Sequence, residues 1–279
     1  MKTISLGFST CPNDTFIFYA LIEKKVNLRE LCFQEILADV EKLNKMAFEK
    51  MLDVTKLSYQ AFGLLLDDYI LLRSGGALGR GCGPILVSAS PVGTNDLIDK
   101  KIAIPGRHTT AAMLLKLYNN DYKNLVEMSF EKIMTAVKTG AVDAGLIIHE
   151  GRFTYEKEGL FKLVDLGDWW EETTGFPIPL GGIVARRDLG EETLAVVESG
   201  IRRSVEYAML HPEEPMAYIK EYAQELSENV IREHVALYVN SFSLDIGEEG
   251  INAIKYLLKT GYEKGIFKNY RDDFVLEPR

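Results

Sequence analysis

The sequence predicts an α/β protein of two domains with a cleft between them, on three observations. A helix–turn–strand segment recurs at an offset of 90 residues, each copy preceded by a further strand and helix. Two apolar stretches, Pro84–Ser90 and Gly181–Arg186, bracket the second copy. Beyond Arg187 the pattern is helical to the end of the chain.

The elements follow in order. Thr3–Phe8 is a strand feeding the turn Ser9–Asn13 and a helix near Asp14–Glu23, with Pro12 close to the first helical position. Glu41-Lys42-Leu43 opens an amphipathic run to Asp53, and Val54–Ser58 follows as a short strand. The glycine-dense Gly75–Pro84 matches neither a P-loop nor GxGxxG, and reads as a tight turn into a hinge strand at Pro84–Ser90. Lys101–Pro105 feeds Gly106-Arg107-His108-Thr109 and a helix through Tyr118. Glu131-Lys132-Ile133 opens the second amphipathic run, to Asp143, with the strand Ala144–Ile148 after it. Gly181–Arg186 is the second hinge strand. The helices Glu191–Leu210, Pro212–Leu226, Ser227–Tyr238 and Gly247–Lys264 have no sheet of their own, so they should pack on the first half. The expected division is a discontinuous large domain, 1–90 and 185–279, and an inserted small domain, 91–184. Two crossing strands form the hinge, and the cleft between domains is the ligand site.

Composition narrows the function. The chain has 279 residues, 47% hydrophobic and 26% charged, which is ordinary globular usage. Lys plus Arg number 32 against 41 Asp plus Glu, a net charge of −9 without a basic block. That argues against nucleic acid and anionic membrane as partners; an anionic small molecule needs a locally positive pocket. Three cysteines without CxxC spacing suggest neither a disulfide framework nor a zinc knuckle, and fit a reducing compartment. The N-terminal stretch lacks the apolar core of a secretory signal, and no apolar run approaches the about 18 residues of a membrane span. A soluble, cytoplasmic protein is expected. His108, His211 and His234 have no metal-ligand spacing, His149-Glu150 lacks the second His of HExxH, and there is no GxSxG, so no metal is expected.

Polar residues fall at the ends of the repeated strands. His149 ends the apolar strand, where open α/β sheets bind ligands, and an imidazole suits proton removal near neutral pH. The same position also suits a histidine hydrogen-bonded at a strand end without chemistry. Lys56-Leu57-Ser58 occupies the matching place in the first half, offering charge and a hydroxyl, or simply a solvated Lys and a helix cap. The repeat puts the two strand ends face to face across the cleft. Thr109-Thr110 starts an apolar helix whose free N–H groups suit a carboxylate or phosphate, or only a capped terminus. Ser9–Asp14 is the equivalent turn of the first half and should line the cleft; nothing in the sequence places a base beside Cys11. Trp169-Trp170 with Phe176–Pro179 could wall the site or pack in the core.

Taken together, Ser9-Thr10-Cys11-Pro12-Asn13-Asp14-Thr15-Phe16, Asp53–Ser58, Gly79–Pro84, Ile147–Tyr155 and Pro177–Gly182 resemble the 1,4-dihydroxy-6-naphthoate synthase family. The resemblance keeps motif order over essentially the whole chain, departing only where Ser9-Thr10-Cys11-Pro12 stands for Ser-Pro-Cys-Pro. It implies a fold like the type II periplasmic solute-binding proteins. It also implies a cofactor-independent lyase of the futalosine route to menaquinone, acting on cyclic dehypoxanthine futalosine, a small-molecule carboxylate. Carried over by position, His149 matches the family's proton acceptor. Lys56, Leu57, Ser58, Thr109 and Thr110 match its substrate-contacting segments. The sibling chorismate dehydratase should carry Gly-Asp where this chain has His149-Glu150. A solute-binding protein without chemistry would need export.

Overall fold

A computed structural model describes residues 2–28, 31–223 and 227–277. The first part of the chain runs β1 (Lys2–Phe8), α1 (Pro12–Ile22), β2 (Leu31–Leu37), α2 (Val40–Phe48), β3 (Val54–Ser58), α3 (Tyr59–Leu64), β4 (Tyr69–Leu71) and β5 (Ala77–Gly79). It continues with β6 (Ile85–Ser88), β7 (Ile102–Ile104), α4 (Thr110–Tyr118), β8 (Leu125–Glu127), α5 (Phe130–Lys138) and β9 (Ala144–Ile147). Then come α6 (Gly151–Thr154), β10 (Phe161–Asp165), α7 (Leu166–Thr174) and β11 (Ile178–Arg186). The remainder is helical: α8 (Glu191–Leu210), α9 (Met216–Tyr222), α10 (Glu228–Tyr238), α11 (Ser241–Leu244) and α12 (Gly247–Glu263).

Two sheets result. The first has the order β2-β1-β3-β11-β4, with β5 also paired to β11; the second is β10-β6-β9-β7-β8. In the first, β1 lies parallel between β2 and β3, and β11 runs antiparallel to β3. The second matches it, with β7 parallel to β8 and β9, and β6 antiparallel to β9. This is the mixed α/β architecture with an interdomain cleft that the sequence predicts. The central strand β3 is buried at every position because it is covered on both faces. Its start is tied to β1 by Asp53, whose Oδ2 accepts from the Ser5 N–H and hydroxyl, each at 2.9 Å. Pro12 occupies the first turn of α1, where its missing N–H costs no hydrogen bond.

The C-terminal helices pack on the first sheet's side, α8 against α1 and α12 against α3 and β11. Ser204 joins α8 to α1: its hydroxyl donates to the Ile17 carbonyl at 2.6 Å and accepts from the Leu21 N–H at 3.1 Å. Ile17, Val197, Ile201 and Val205 close the core around it.

The chain crosses from the first sheet to the second between Gly79 and Ile85, and returns between Thr174 and Ile178. The sequence division at 90 and 185 falls later, because each apolar hinge stretch continues as a strand inside one sheet. At the crossing the backbones of Gly83 and Gly167 nearly touch: a Cβ on Gly83 would lie 2.2 Å from the Gly167 nitrogen. Gly75–Pro84 is more than a turn, since β5 pairs there with β11. The run expected to continue as helix to Asp53 stops at Phe48, with Lys50 in the left-handed region at φ 55°. Of Pro212–Leu226 only α9 is helical up to Ala223, and 224–226 lie outside the described residues. Among the described residues no helix is long and apolar enough to cross a membrane.

Candidate active site

The site begins in the turn after β1. The Ser9 hydroxyl donates to Asp14 Oδ2 at 2.7 Å, and the Ser9 N–H reaches the same oxygen at 3.2 Å. The Cys11 N–H donates to Ser9 Oγ at 3.3 Å. The other Asp14 oxygen, Oδ1, accepts from Lys56 Nζ at 2.7 Å and Asn13 Nδ2 at 2.9 Å. Lys56 and Asp14 are only 6% and 2% exposed, so this is a buried, mutually neutralised ion pair. Lys56 is therefore neither a solvated lysine nor an uncompensated charge.

His149 enters from the second sheet, two residues past the end of β9. Its φ is +56°, a left-handed conformation that a non-glycine residue adopts at a cost, often at functional sites. Its Nδ1 lies 3.3 Å from Cys11 Sγ. The sequence places no base beside Cys11; folding does, because the two residues come from different sheets and meet in the tertiary structure. Burial holds the His149 pKa below its ordinary value, with Glu150 and Asp14 pulling the other way. Burial pushes the Cys11 thiol well up, helped by Glu150 and Asp14, so the sulfur keeps its proton. Phe130 meets the His149 ring edge-on at 4.9 Å, and His234 stacks on it at 6.3 Å.

The opposite wall is the start of α4. The Thr109 hydroxyl accepts from the Ala112 N–H at 3.2 Å and donates to the Gly106 carbonyl at 2.8 Å. The Thr110 hydroxyl accepts from the Tyr59 N–H at 2.8 Å and donates to the Leu180 carbonyl at 2.6 Å, joining the two halves. Both hydroxyls are thus committed within the protein. What remains at this terminus is the N–H pair of Thr110 and Ala111, which helical geometry leaves without intrahelical acceptors. Ser58 donates its N–H to Asn44 Oδ1 at 3.1 Å and accepts from Asn44 Nδ2 at 3.3 Å, and its hydroxyl proton has no acceptor among the described residues. Leu57 has its side chain in the core.

One cavity is lined by all six residues singled out from the sequence, His149, Lys56, Leu57, Ser58, Thr109 and Thr110. Asn13, Asp14, His234 and Tyr238 line it as well. His234 has no metal-ligand spacing in the sequence, and its place at the cavity depends on how α10 packs, which no local pattern shows. Trp170 is core: fully buried, it donates Nε1–H to the Pro177 carbonyl at 3.2 Å. Among the described residues no group of three or more His, Cys, Asp or Glu could hold a metal ion.

The menaquinone biosynthesis family model matches residues 4–263. A Thermus thermophilus protein named 1,4-dihydroxy-6-naphthoate synthase is 51% identical, covering 95% of this chain and 96% of its own length. A Streptomyces coelicolor protein of the same name is 44% identical over 99% of both chains. A solved structure from Archaeoglobus fulgidus matches with a TM-score of 0.90 at 37% identity, covering 95% of this chain and 98% of that one. The periplasmic aliphatic sulphonate-binding protein of Escherichia coli matches with a TM-score of 0.68 at 13% identity, covering 100% of this chain and 93% of that one, a likeness of fold.

Proposed function

The chain belongs to the menaquinone biosynthesis family, and from that premise we propose that it is a carbon–carbon lyase converting cyclic dehypoxanthine futalosine into 1,4-dihydroxy-6-naphthoate. Two relatives that bear the synthase name and align over nearly all of their length support the reaction. The observation that carries the chemistry is His149, held in left-handed backbone on the cavity wall with Nδ1 against the Cys11 thiol.

That contact bears on how the imidazole acts. The Ser9 proton is committed to the Asp14 carboxylate, and the Ser9 oxygen accepts from the Cys11 N–H. In this reading the Cys11 sulfur accepts from His149 Nδ1–H across their 3.3 Å contact. Nε2 is then a bare acceptor available to the substrate, as a general base requires. The substrate carboxylate sits at the free N–H groups of Thr110 and Ala111, at the positive end of α4, with the Ser58 hydroxyl beside it. His149 removes a proton, the carbon–carbon bond to the sugar-derived fragment breaks, and the ring system becomes aromatic. Walls drawn from both sheets exclude water during these steps. The partner is this small-molecule carboxylate, and the working location is the cytoplasm.

The test is incubation of the purified protein with cyclic dehypoxanthine futalosine, without added metal or nucleotide, and detection of 1,4-dihydroxy-6-naphthoate by chromatography and mass. His149→Ala should lower turnover roughly 10²–10⁴-fold, the usual range for a general base. Dehydration of chorismate instead would assign the sibling reaction. Tight binding without turnover of either compound would leave a solute-binding fold without chemistry.

A further inference from the structure

His234 reaches the cavity from α10, on the side of the first sheet, whereas the start of α4 and His149 belong to the second. Its side chain is fully buried. Nε2 lies 3.0 Å from Asn13 Oδ1. The Asn13 amide cannot turn around: its Nδ2 donates to Asp14 Oδ1 at 2.9 Å, and a carboxylate only accepts. His234 Nε2 therefore carries the proton and donates it to Asn13, which leaves the lone pair on Nδ1. That nitrogen has no hydrogen-bond partner among the described residues. The ring packs against Tyr238 at 4.6 Å and Phe153 at 6.2 Å, and the hydrogen bond to Asn13 sets its orientation. A buried acceptor left without a donor is unfavourable, and in folded proteins such groups are nearly all paired or serve a function.

We infer that His234 is a substrate-binding residue whose Nδ1 accepts a hydrogen bond from a hydroxyl of the ligand that lies against His149. The inference rests on the proposed function for the class of ligand, a hydroxylated bicyclic aromatic carboxylate. The two ends of such a molecule would be read by opposite walls, the carboxylate by the α4 terminus and a hydroxyl by His234. A neutral acceptor selects a neutral donor, and the Asp14–Lys56 pair behind Asn13 leaves no net charge there to select otherwise. The lever is specificity: a ligand without the hydroxyl leaves Nδ1 dry.

Two substitutions separate this role from a structural one. His234→Gln keeps a donor where Nε2 reaches Asn13 but has no acceptor at the Nδ1 position. His234→Asn keeps an acceptor at the Nδ1 position and loses the donor to Asn13. Calorimetric titration with 1,4-dihydroxy-6-naphthoate and with 2-naphthoate, which lacks both hydroxyls, should show the wild type preferring the first by about tenfold. His234→Gln should abolish that preference and His234→Asn should retain most of it. The reverse pattern, or a preference unchanged in His234→Gln, overturns the inference and leaves a tether for Asn13. Where a variant fails to fold, the ¹⁵N resonance of His234 Nδ1 in the wild type replaces it. That resonance should shift with the dihydroxy acid and not with 2-naphthoate; an unmoved signal overturns the inference. Equal binding of the two acids by the wild type overturns the role of His234 alone. Binding of neither overturns the proposed function together with it.

Discussion

Cys11 Sγ lies 3.3 Å from His149 Nδ1, although the two stand 138 positions apart. One belongs to the turn after β1 in the first sheet, the other to the end of β9 in the second. The contact therefore spans the two sheets, and in the proposed mechanism it holds the imidazole by one nitrogen and leaves the other for the ligand.

Removing that contact should affect turnover more than binding. Cys11→Ala is expected to lower kcat about tenfold with KM changed little, because Nδ1 loses the partner that sets its tautomer. Cys11→Ser, which keeps a hydrogen-bonding side chain, should recover part of the loss. Steady-state kinetics on the folded variants read both effects, and unchanged kcat in Cys11→Ala would remove the thiol from this role.

The acid limb of activity should lie low. Burial lowers the His149 pKa from its ordinary value of about 6.5, so the unprotonated base persists below that pH and is lost only as pH falls through the lower, folded value. The acid limb of kcat/KM is expected below pH 6.5. Glu150 opposes the effect of burial, so Glu150→Gln should move the limb lower still.

Stability should decline over a similar range. His149 and His234 both have pKa values lowered, first by burial. Each binds a proton more readily in the unfolded chain, so the unfolded state takes up protons first as pH falls below about 6.5. Their contribution is intact above that pH and is lost progressively towards the folded values. Thermal melts from pH 7.5 to 5.5 should show Tm falling, and His234→Asn should be less acid-sensitive than the wild type.

The Lys56–Asp14 pair should be costly to break and tolerable to remove whole. Asp14→Asn leaves a buried ammonium unpaired and is expected to destabilise by about 3–5 kcal/mol. Adding Lys56→Met should recover much of that loss. Denaturant unfolding of the two variants measures the difference, although both should lose activity because Asp14 also anchors Ser9 and Asn13.

At the crossing between sheets, Gly83→Ala should be destabilising by about 1–3 kcal/mol. The new Cβ would stand 2.2 Å from the Gly167 nitrogen and 2.3 Å from its Cα, and backbone cannot yield as a flexible side chain does. The Gly83 carbonyl also accepts from Arg152 Nη1 at 2.7 Å, so a shift there should reach the His149 loop as weaker ligand binding.

Much of this protein is written locally. The strands Thr3–Phe8, Val54–Ser58 and Ala144–Ile148, the long helix Glu191–Leu210 and the repeat that pairs the halves are visible because hydrophobic periodicity and turn residues act over a few positions. The same locality places His149, Lys56–Ser58 and Thr109-Thr110 at strand and helix ends around one cavity. Of the strands absent from that reading, β4, β5 and β8 are three residues long and are defined by their pairing partners, while β2 and β10 are only partly buried and lack a clean apolar pattern. Tertiary structure alone decided what each polar group is bound to. It gave Lys56 to Asp14, the Thr110 hydroxyl to Leu180, Cys11 to His149 and His234 to Asn13. A hydrogen bond forms only between groups that folding brings within about 3 Å. Partners as far apart in sequence as Asn13 and His234 meet only once both sheets and the helices over them have closed.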